Sequence, residues 1–469
     1  MADTSIGTPE QLRDPNYLPP MGQAIPLGIQ HVLAMFVSNV TPAFLVALAA
    51  GAQSEMGYMI QMSILFAGVA TLLQTIGMGP VGARLPIVQG TSFAFVPIMI
   101  PAVAGLGTAG LSGLMTGVFL GGIFHFLLGF VIGRIRFALP PLVTGLIVLM
   151  IGLALVKVGI QYAAGGVFGY DRAHVLSAAM NARLAPEVME QIKAAVGGPA
   201  SGFGVMAKWL PALVVVVATL LIKFFSRGFL SIAAVFLGIV AGYLVALFMG
   251  QVSFDKVGEA AIFGIPQPFK YGFEINWAIV IGMCFMAIVS AIETVGDVSG
   301  ITKGGAGREA TDKEISGATF ADGLGTSVAG IFGALPNTSF SQNVGLVAMT
   351  GVMSRHVVTI GAVFLILCGL SPMLAALIRT MPEHVLGGGV IVMFGMVCAS
   401  GVNMLADVNW NRRNMVIFAT SLSVGFGLQL VPEALQHLGR TAQILLTSGL
   451  LPSAALAIIL NLVLPEELD

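Results

Sequence analysis

Long apolar runs alternate with short polar stretches from about residue 26 to residue 465. A helix that crosses a bilayer needs about 20 mostly apolar residues. Fourteen segments meet or approach that length: 26–51, 56–79, 85–105, 113–135, 139–164, 209–226, 231–250, 276–301, 317–335, 338–352, 355–381, 385–405, 414–430 and 445–465. Two of them are abnormal. The third is dense in small and helix-breaking residues, and the tenth is only about 15 residues long. Both are predicted to run partly extended and then helical. Unwound backbone in lipid leaves polar groups unsatisfied, so these two segments must line a cavity or lie inside protein.

The two halves echo each other. Thr91-Ser92-Phe93 recurs as Thr338-Ser339-Phe340, an offset of 247, and Pro140, Val143, Gly145 and Gly159 recur as Pro382, Val385, Gly387 and Gly401, an offset of 242. Two matches at nearly one offset predict a seven-plus-seven repeat. An odd number of spans per repeat inverts the second copy in the membrane, a transporter device that sets paired broken segments near the midplane. The expected fold is an all-α polytopic membrane protein with fourteen transmembrane segments in a 7+7 inverted repeat.

Composition agrees. Only 9% of the 469 residues are charged and 57% are hydrophobic, whereas soluble domains carry about 25% charge. That excludes a cytosolic enzyme, a nucleic-acid binder and a disordered chain. The net charge of −1 implies no bulk attraction to nucleic acid. Sixty glycines suit close helix packing and broken helices. Cys284, Cys368 and Cys398 show no metal or disulfide spacing. The polar first 25 residues lack a signal-peptide pattern, so the first span is expected to act as its own insertion signal. Twelve Lys or Arg, including Arg13, Arg84, Arg136 and Arg355, fall on the side of the N-terminus, and eight on the other. Four of the eight (Arg172, Arg183, Lys193 and Lys208) sit in or beside the loop 165–207. The bias predicts both termini in the cytoplasm, in an inner (cytoplasmic) membrane. The stretch 173–195 has a helical pattern and is expected on the outer surface.

Ionisable residues inside spans are costly and therefore point to function. Glu293 and Asp297 lie four apart on one face of the eighth segment, and Asp322 follows in the ninth. They suit a proton-coupled site or acceptors for ligand N–H groups; near a span end, Asp297 and Asp322 read equally as capping residues. His31 reads as a packing residue or as a hydrogen-bond organiser and proton relay. His125 reads as structural, and Lys157 as a side chain that snorkels. The tenth segment adds Ser339, Ser341, Gln342 and Asn343, and the third adds Gln89, Gly90, Thr91, Ser92 and Phe93. Primary amides fit the cis-amide edges of a heterocycle, and an aromatic fits its face. Metal, nucleophile–base and ATP-binding patterns are absent, so no enzyme activity and no cofactor are expected. The residues alone lead to a proton-coupled carrier of a small, polar, planar solute.

The run SFSQNVGLVAMTGV (339–352) resembles the signature Q-N-x-G-x-x-x-x-T-[RKG] of the nucleobase–ascorbate transporter family, met by Gln342, Asn343, Gly345, Thr350 and Gly351. AIETVGD (291–297), ADG (321–323), QHVLAMFVSNVTP (30–42), QGTSFAF (89–95) and IPQPFKYGF (265–273) are similar to further stretches of that family, nearest its xanthine and uric acid permeases. The likeness covers essentially the whole chain. It implies a core domain (26–135 and 251–381) moving against a gate domain (136–250 and 382–465), with tails at 1–25 and 466–469. It also implies a homodimer, proton symport and an elevator-like cycle. By the same likeness, Glu293 and Gln342 hold opposite edges of a purine, and Phe93 with Ser92 and Ala94 stacks on it and offers backbone N–H groups. Ser341 and Asn343 complete the site, while His31, Asp297 and Asp322 form a proton-linked polar network. Gln342, where uracil-type members tend to have Glu, points to a purine; Ser92, where xanthine-selective members often have Asn, points to uric acid with xanthine also accepted. Gly351 stands where some members carry Arg or Lys. The alternatives are a uracil or other nucleobase symporter, or an anion exchanger or channel on the same architecture.

Overall fold

The structure, a computed structural model, describes residues 6–135, 140–182, 186–196, 202–406 and 408–465. The C-terminal tail 466–469, the first five residues of the N-terminal tail, and Arg136 and Arg183 of the orientation set lie outside the described residues.

In the first half, α1 (Pro9–Arg13), α2 (Met21–Ala50) and α3 (Met56–Ile76) precede a short strand, β1 (Gln89–Thr91). The chain then resumes as α4 (Val96–Val103), α5 (Ala109–Leu128), α6 (Ile132–Ile135) and α7 (Pro141–Ala163). Next come α8 (Val167–Asn181), α9 (Pro186–Val196), α10 (Met206–Phe225), α11 (Phe229–Ile232), α12 (Ala234–Phe248) and α13 (Asp255–Gly258). The second half runs α14 (Trp277–Ile301), α15 (Asp312–Ile331), β2 (Asn337–Ser339), α16 (Ser341–Thr350), α17 (Arg355–Gly369), α18 (Pro372–Arg379) and α19 (Glu383–Ala406). It ends with α20 (Arg412–Leu430), α21 (Arg440–Thr447) and α22 (Leu450–Val463). Among the described residues, seven helices are long and apolar enough to cross a membrane, or nine if each bent pair is one span. The other segments are α12, which is short, α15 and α20, whose ends and centres are polar, and the two strand–helix segments. The helical pattern over 173–195 corresponds to α8 and α9.

Two spans read as continuous are bent. The eleventh turns by 82° between α17 and α18, and the fourteenth by 78° between α21 and α22. Pro372 explains the first, since proline cannot continue a hydrogen-bonded helix. At the second, Gly449 takes φ +67°, a left-handed conformation open to glycine.

The broken third and tenth segments meet. β1 pairs antiparallel with β2 in the register Gln89↔Ser339, Gly90↔Thr338 and Thr91↔Asn337. Ser92 N donates to Pro336 O at 2.8 Å and Phe340 N to Val88 O at 3.0 Å, extending the ladder at both ends. The repeat offset of 247 exchanges Gly90↔Thr338 with Thr91↔Asn337, so the pseudo-two-fold passes through the middle of this small sheet. The unwound backbone of each half thus satisfies that of the other. Helices then grow out of each strand.

The chain divides into two compact units. The larger comprises residues 1–154, 257–376 and 397–469. It holds both strands, and α15 packs on α5 and α17 on α3 and α2. Glycines set these crossings: a Cβ on Gly323 would lie 2.1 Å from Phe126 N, and one on Gly361 2.7 Å from Gly28 O. Within this unit the segment 265–273 is strapped to the start of α3. Tyr58 donates to Phe332 O at 3.0 Å and accepts from Gln267 N, while Lys270 pairs with Glu55 and lies 3.9 Å from the Tyr58 ring centroid. Burial and the Glu55 carboxylate raise the Tyr271 hydroxyl far above its ordinary pKa, so it remains a donor to Glu55.

The smaller unit comprises residues 155–256 and 377–396. Gly238 and Gly242 let α12 approach α10, and Gly388 meets Ala212 O. Lys157 sits 5.4 Å from the Tyr170 ring centroid, an aromatic contact for an exposed cation. Gly159 and Gly387 of the repeat serve this unit's helix contacts, as Gly145 and Gly401 serve those of the larger one.

Candidate functional site

One polar face of α14 organises the centre of the larger unit. Ser290, Thr294, Asp297 and Ile301 recur at helical spacing, and the three polar members reach β2 and α15. Ser290 Oγ donates to Thr338 Oγ1 at 3.0 Å, and Thr294 Oγ1 donates to Asp322 Oδ2. Asp297 is buried and accepts from Ser339 Oγ at 2.6 Å and from Ser341 Oγ at 2.7 Å. The two serines flank Phe340, the residue that caps the start of α16. Asp297 therefore ties the eighth segment to the strand–helix junction of the tenth, and its role is larger than capping α14.

Asp322 is fully buried. Its Oδ1 accepts from Gln74 Nε2 at 2.9 Å and from Gln89 Nε2, and its Oδ2 from Thr294 Oγ1. Three donors from α3, β1 and α14 converge on a carboxylate from α15. Gln74 also donates to Ala318 O at 3.0 Å and accepts from Ala83 N at 3.2 Å. On the other side of the ladder, Asn39 Oδ1 accepts from Thr91 N at 2.8 Å and Thr91 Oγ1 at 3.2 Å. Gly90 lies against these groups: a Cβ there would fall 2.3 Å from the Phe340 ring and 2.8 Å from Asn39 Oδ1.

Asn343 and His31 meet across α16 and α2. Asn343 Nδ2 lies 3.0 Å from His31 Nδ1 and donates to His31 O at 3.0 Å. The carbonyl requires a donor, which assigns the amide nitrogen to that side and makes Nδ1 the acceptor. His31 thus links α2 to α16 through its ring nitrogen and its backbone carbonyl. Asn343 Oδ1 then faces no protein partner among the described residues, and Gln89 Oε1 is in the same condition.

Glu293 differs from the other two carboxylates. It is half-buried, it stands one turn before Asp297, and no described residue donates to it. Gln342 and Ser341 are exposed at the first turn of α16, Ser92 and Ala94 are buried beyond β1, and Phe93 is half-buried between them. Ala94 N donates to Ser92 Oγ at 3.3 Å. The structure thus joins Asp297 to Ser341, and His31 to Asn343, and carries Glu293 and Gln342 on the two helices, α14 and α16, that pack together there.

The permease family model (Xan_ur_permease) matches residues 22–189 and 173–434. The chain belongs to the nucleobase–ascorbate transporter family. This transporter is 33% identical over 461 residues to the xanthine permease XanP of Escherichia coli (strain K12), covering 96% of this chain and 93% of that one. It is 35% identical over 445 residues to the uric acid transporter UacT of Escherichia coli (strain K12), covering 94% and 86%. It is 34% identical over 441 residues to the uric acid permease PucJ of Bacillus subtilis (strain 168), covering 93% and 91%. Among solved structures it is similar in fold to the murine Slc26a9 anion transporter (TM-score 0.61, 14% identity, covering 94% of this chain and 67% of that one). It is likewise similar to the transmembrane domain of the cyanobacterial bicarbonate transporter BicA (TM-score 0.56, 16% identity, 94% and 97%). The transporter is a multi-pass membrane protein of this 7+7 inverted-repeat fold, and not an enzyme.

Several polar residues of this transporter's centre escape a reading by charge alone. Gln74, Asn39 and Thr294 are neutral residues inside apolar spans, each beside another polar or charged residue. The available signal was a buried amide within a span, because an amide in hydrocarbon needs partners. His125 is buried with neither ring nitrogen bonded among the described residues, and it lies outside the cluster described above.

Proposed function

We propose that this transporter is a proton-coupled symporter that imports purines, uric acid with xanthine also accepted, across the cytoplasmic membrane. The observation that carries the reading is Glu293: a carboxylate within a span, half-buried and without a protein donor. An acceptor left open at membrane depth is costly unless a ligand or proton fills it. Glu293 accepts from purine N–H groups, and Gln342, with both donor and acceptor on one amide, meets the opposite cis-amide edge. Phe93 stacks on the ring, and Ser92, Ala94, Ser341 and Asn343 complete the pocket, with Asn343 Oδ1 as a further open acceptor. Asp297, Asp322 and His31 brace the strand–helix junctions around it.

In this reading the core, spans 1–4 and 8–11, carries the site past a gate of spans 5–7 and 12–14 in an elevator-like cycle. The protein is a homodimer in the inner membrane with both termini in the cytoplasm, the proton is its coupling ion, and it needs no cofactor. The names of the relatives, xanthine and uric acid permeases and transporters, support the choice of solute.

Uptake of radiolabelled uric acid, xanthine and uracil, with and without an uncoupler, tests the proposal. Uncoupler-sensitive accumulation of uric acid and xanthine is expected. Insensitive uptake removes proton symport, and a preference for uracil overturns the purine assignment. A second reading, anion exchange, draws on the fold shared with Slc26a9 and BicA; purine uptake that follows an imposed anion gradient instead of a proton gradient would favour it.

A further inference from the structure

An open cavity of about 590 Å³, with walls of mixed polarity, lies in the larger unit. Its walls include Pro101 of α4, Pro432 and Gln436 of the turn after α20, and Arg440, Gln443 and Thr447 of α21. The volume is within the usual range for small-molecule sites. Gln443 Nε2 lies 3.0–3.2 Å from the carbonyls of Leu435, Gln436 and Leu438 and shares its two N–H groups among them, so its amide holds the turn. Arg440 takes no part in that clamp. It is exposed, and no ion pair engages it among the described residues.

The cavity abuts the elements that carry the candidate site. α21 packs on both α4 and α14. Gly282 of α14 makes the approach possible: a Cβ there would fall 2.8 Å from Ile98 of α4 and 3.4 Å from Leu445 of α21. Pro101 stands five residues along α4 from Val96, or about 7.5 Å of helix rise. A solute in the cavity is therefore about one and a half turns of helix beyond the start of α4, which follows the strand–helix junction.

An unpaired guanidinium fork suits a planar group with adjacent oxygens and negative charge. Pro101, Pro432 and Ile444 give the same cavity apolar wall. We propose that this cavity is a reception subsite that holds an anionic, carbonyl-rich planar heterocycle before it reaches the central site, with Arg440 as the group that attracts it. The proposal rests on the purine reading above for the identity of the solute.

The test measures initial uptake of radiolabelled uric acid, an anion at neutral pH, by cells expressing the full chain as wild type, Arg440→Gln or Arg440→Lys. Each is assayed at low and high ionic strength, with membrane levels checked by immunoblot. A charge at the mouth of a site changes association and its salt dependence more than the bound state. Arg440→Gln is expected to raise KM about 3–10-fold with Vmax unchanged, and to flatten the rise of KM with salt; Arg440→Lys should retain both wild-type features. Equilibrium binding of uric acid to purified Glu293→Gln protein is measured alongside, with and without Arg440→Gln. Weak binding that persists in Glu293→Gln and vanishes in the double variant supports the subsite even if transport of purines fails. If the wild type takes up no purine, the function proposed above fails on its own. Unchanged KM and salt slope in Arg440→Gln, or no Arg440-dependent binding, overturns the subsite.

Discussion

Asp322 permits a worked prediction, because its three donors come from three other elements. Asp322→Leu deletes the acceptor and leaves Gln74, Gln89 and Thr294 in place. A buried donor left without a partner costs about 1–3 kcal/mol, so three sum to roughly 3–9 kcal/mol. Native proteins are stable by about 5–15 kcal/mol, so this change takes a large share of the total. Asp322→Asn is milder. Its oxygen can still receive both glutamine amides, and its nitrogen can donate to Thr294 Oγ1 if the hydroxyl turns. What is lost is the charge assistance, about 1 kcal/mol per bond, or roughly 2–3 kcal/mol. Thermal ramps of detergent-solubilised protein, read by fluorescence-detected size exclusion, should show Asp322→Leu aggregated or strongly lowered in melting temperature and Asp322→Asn lowered modestly. A double-mutant cycle with Gln89→Ala should show coupling, since the two side chains share one bond. A Leu variant that melts with the wild type, or an Asn variant as damaged as Leu, would refute the reasoning.

Three further outcomes follow from the same geometry. Glu293→Gln should leave melting temperature unchanged, because no protein group bonds to the carboxylate, while uptake falls by at least tenfold, the equivalent of losing about 1.4–3 kcal/mol of a charged hydrogen bond; wild-type uptake in that variant removes Glu293 from the site. Gly90→Ala forces its Cβ into the Phe340 ring and should cost about 1–3 kcal/mol by overpacking, read as lower melting temperature together with lost uptake; a neutral result would mean that the ladder tolerates separation. Lys270→Met breaks the contacts with Glu55 and Tyr58 at a partly exposed position and should cost about 1–2 kcal/mol with uric acid KM unchanged; a shifted KM would place this strap in the transport path.

Much of the architecture was legible because hydrocarbon imposes it. The short tenth segment and the small-residue third declared themselves broken, and the offset of 247 linked them. That the same residues would pair as Gly90↔Thr338 was not legible, since an offset relates two copies without saying that they touch. The bends at Pro372 and Gly449 were missed for a related reason: hydropathy averages over a window and is blind to direction. In the site, charge betrayed Glu293, Asp297 and Asp322 at once. Only the family likeness set Glu293 apart from the other two; charge and spacing alone did not, because the donors on Asp322 are spread from residue 74 to residue 294. Gln74 and Asn39 look like tolerated polar residues until the elements that use them are in place.

The antiparallel ladder also constrains how the protein is made. Thr91 pairs with Asn337, so the first strand leaves the ribosome some 246 residues ahead of its partner. At about 5–20 residues per second, translation separates them by roughly 12–50 s. Gln89 N and Thr91 N have partners already in the first half, Thr71 Oγ1 and Asn39 Oδ1, but throughout that interval the backbone groups of Gly90 that face the ladder have no strand to bond, and lipid cannot supply one. The nascent first half must therefore wait with this stretch hydrated, within the insertion machinery or in a water-filled cleft among its own helices. Completion of the site is a late event of biogenesis, and the amino-terminal half synthesised alone should be held by chaperones or degraded.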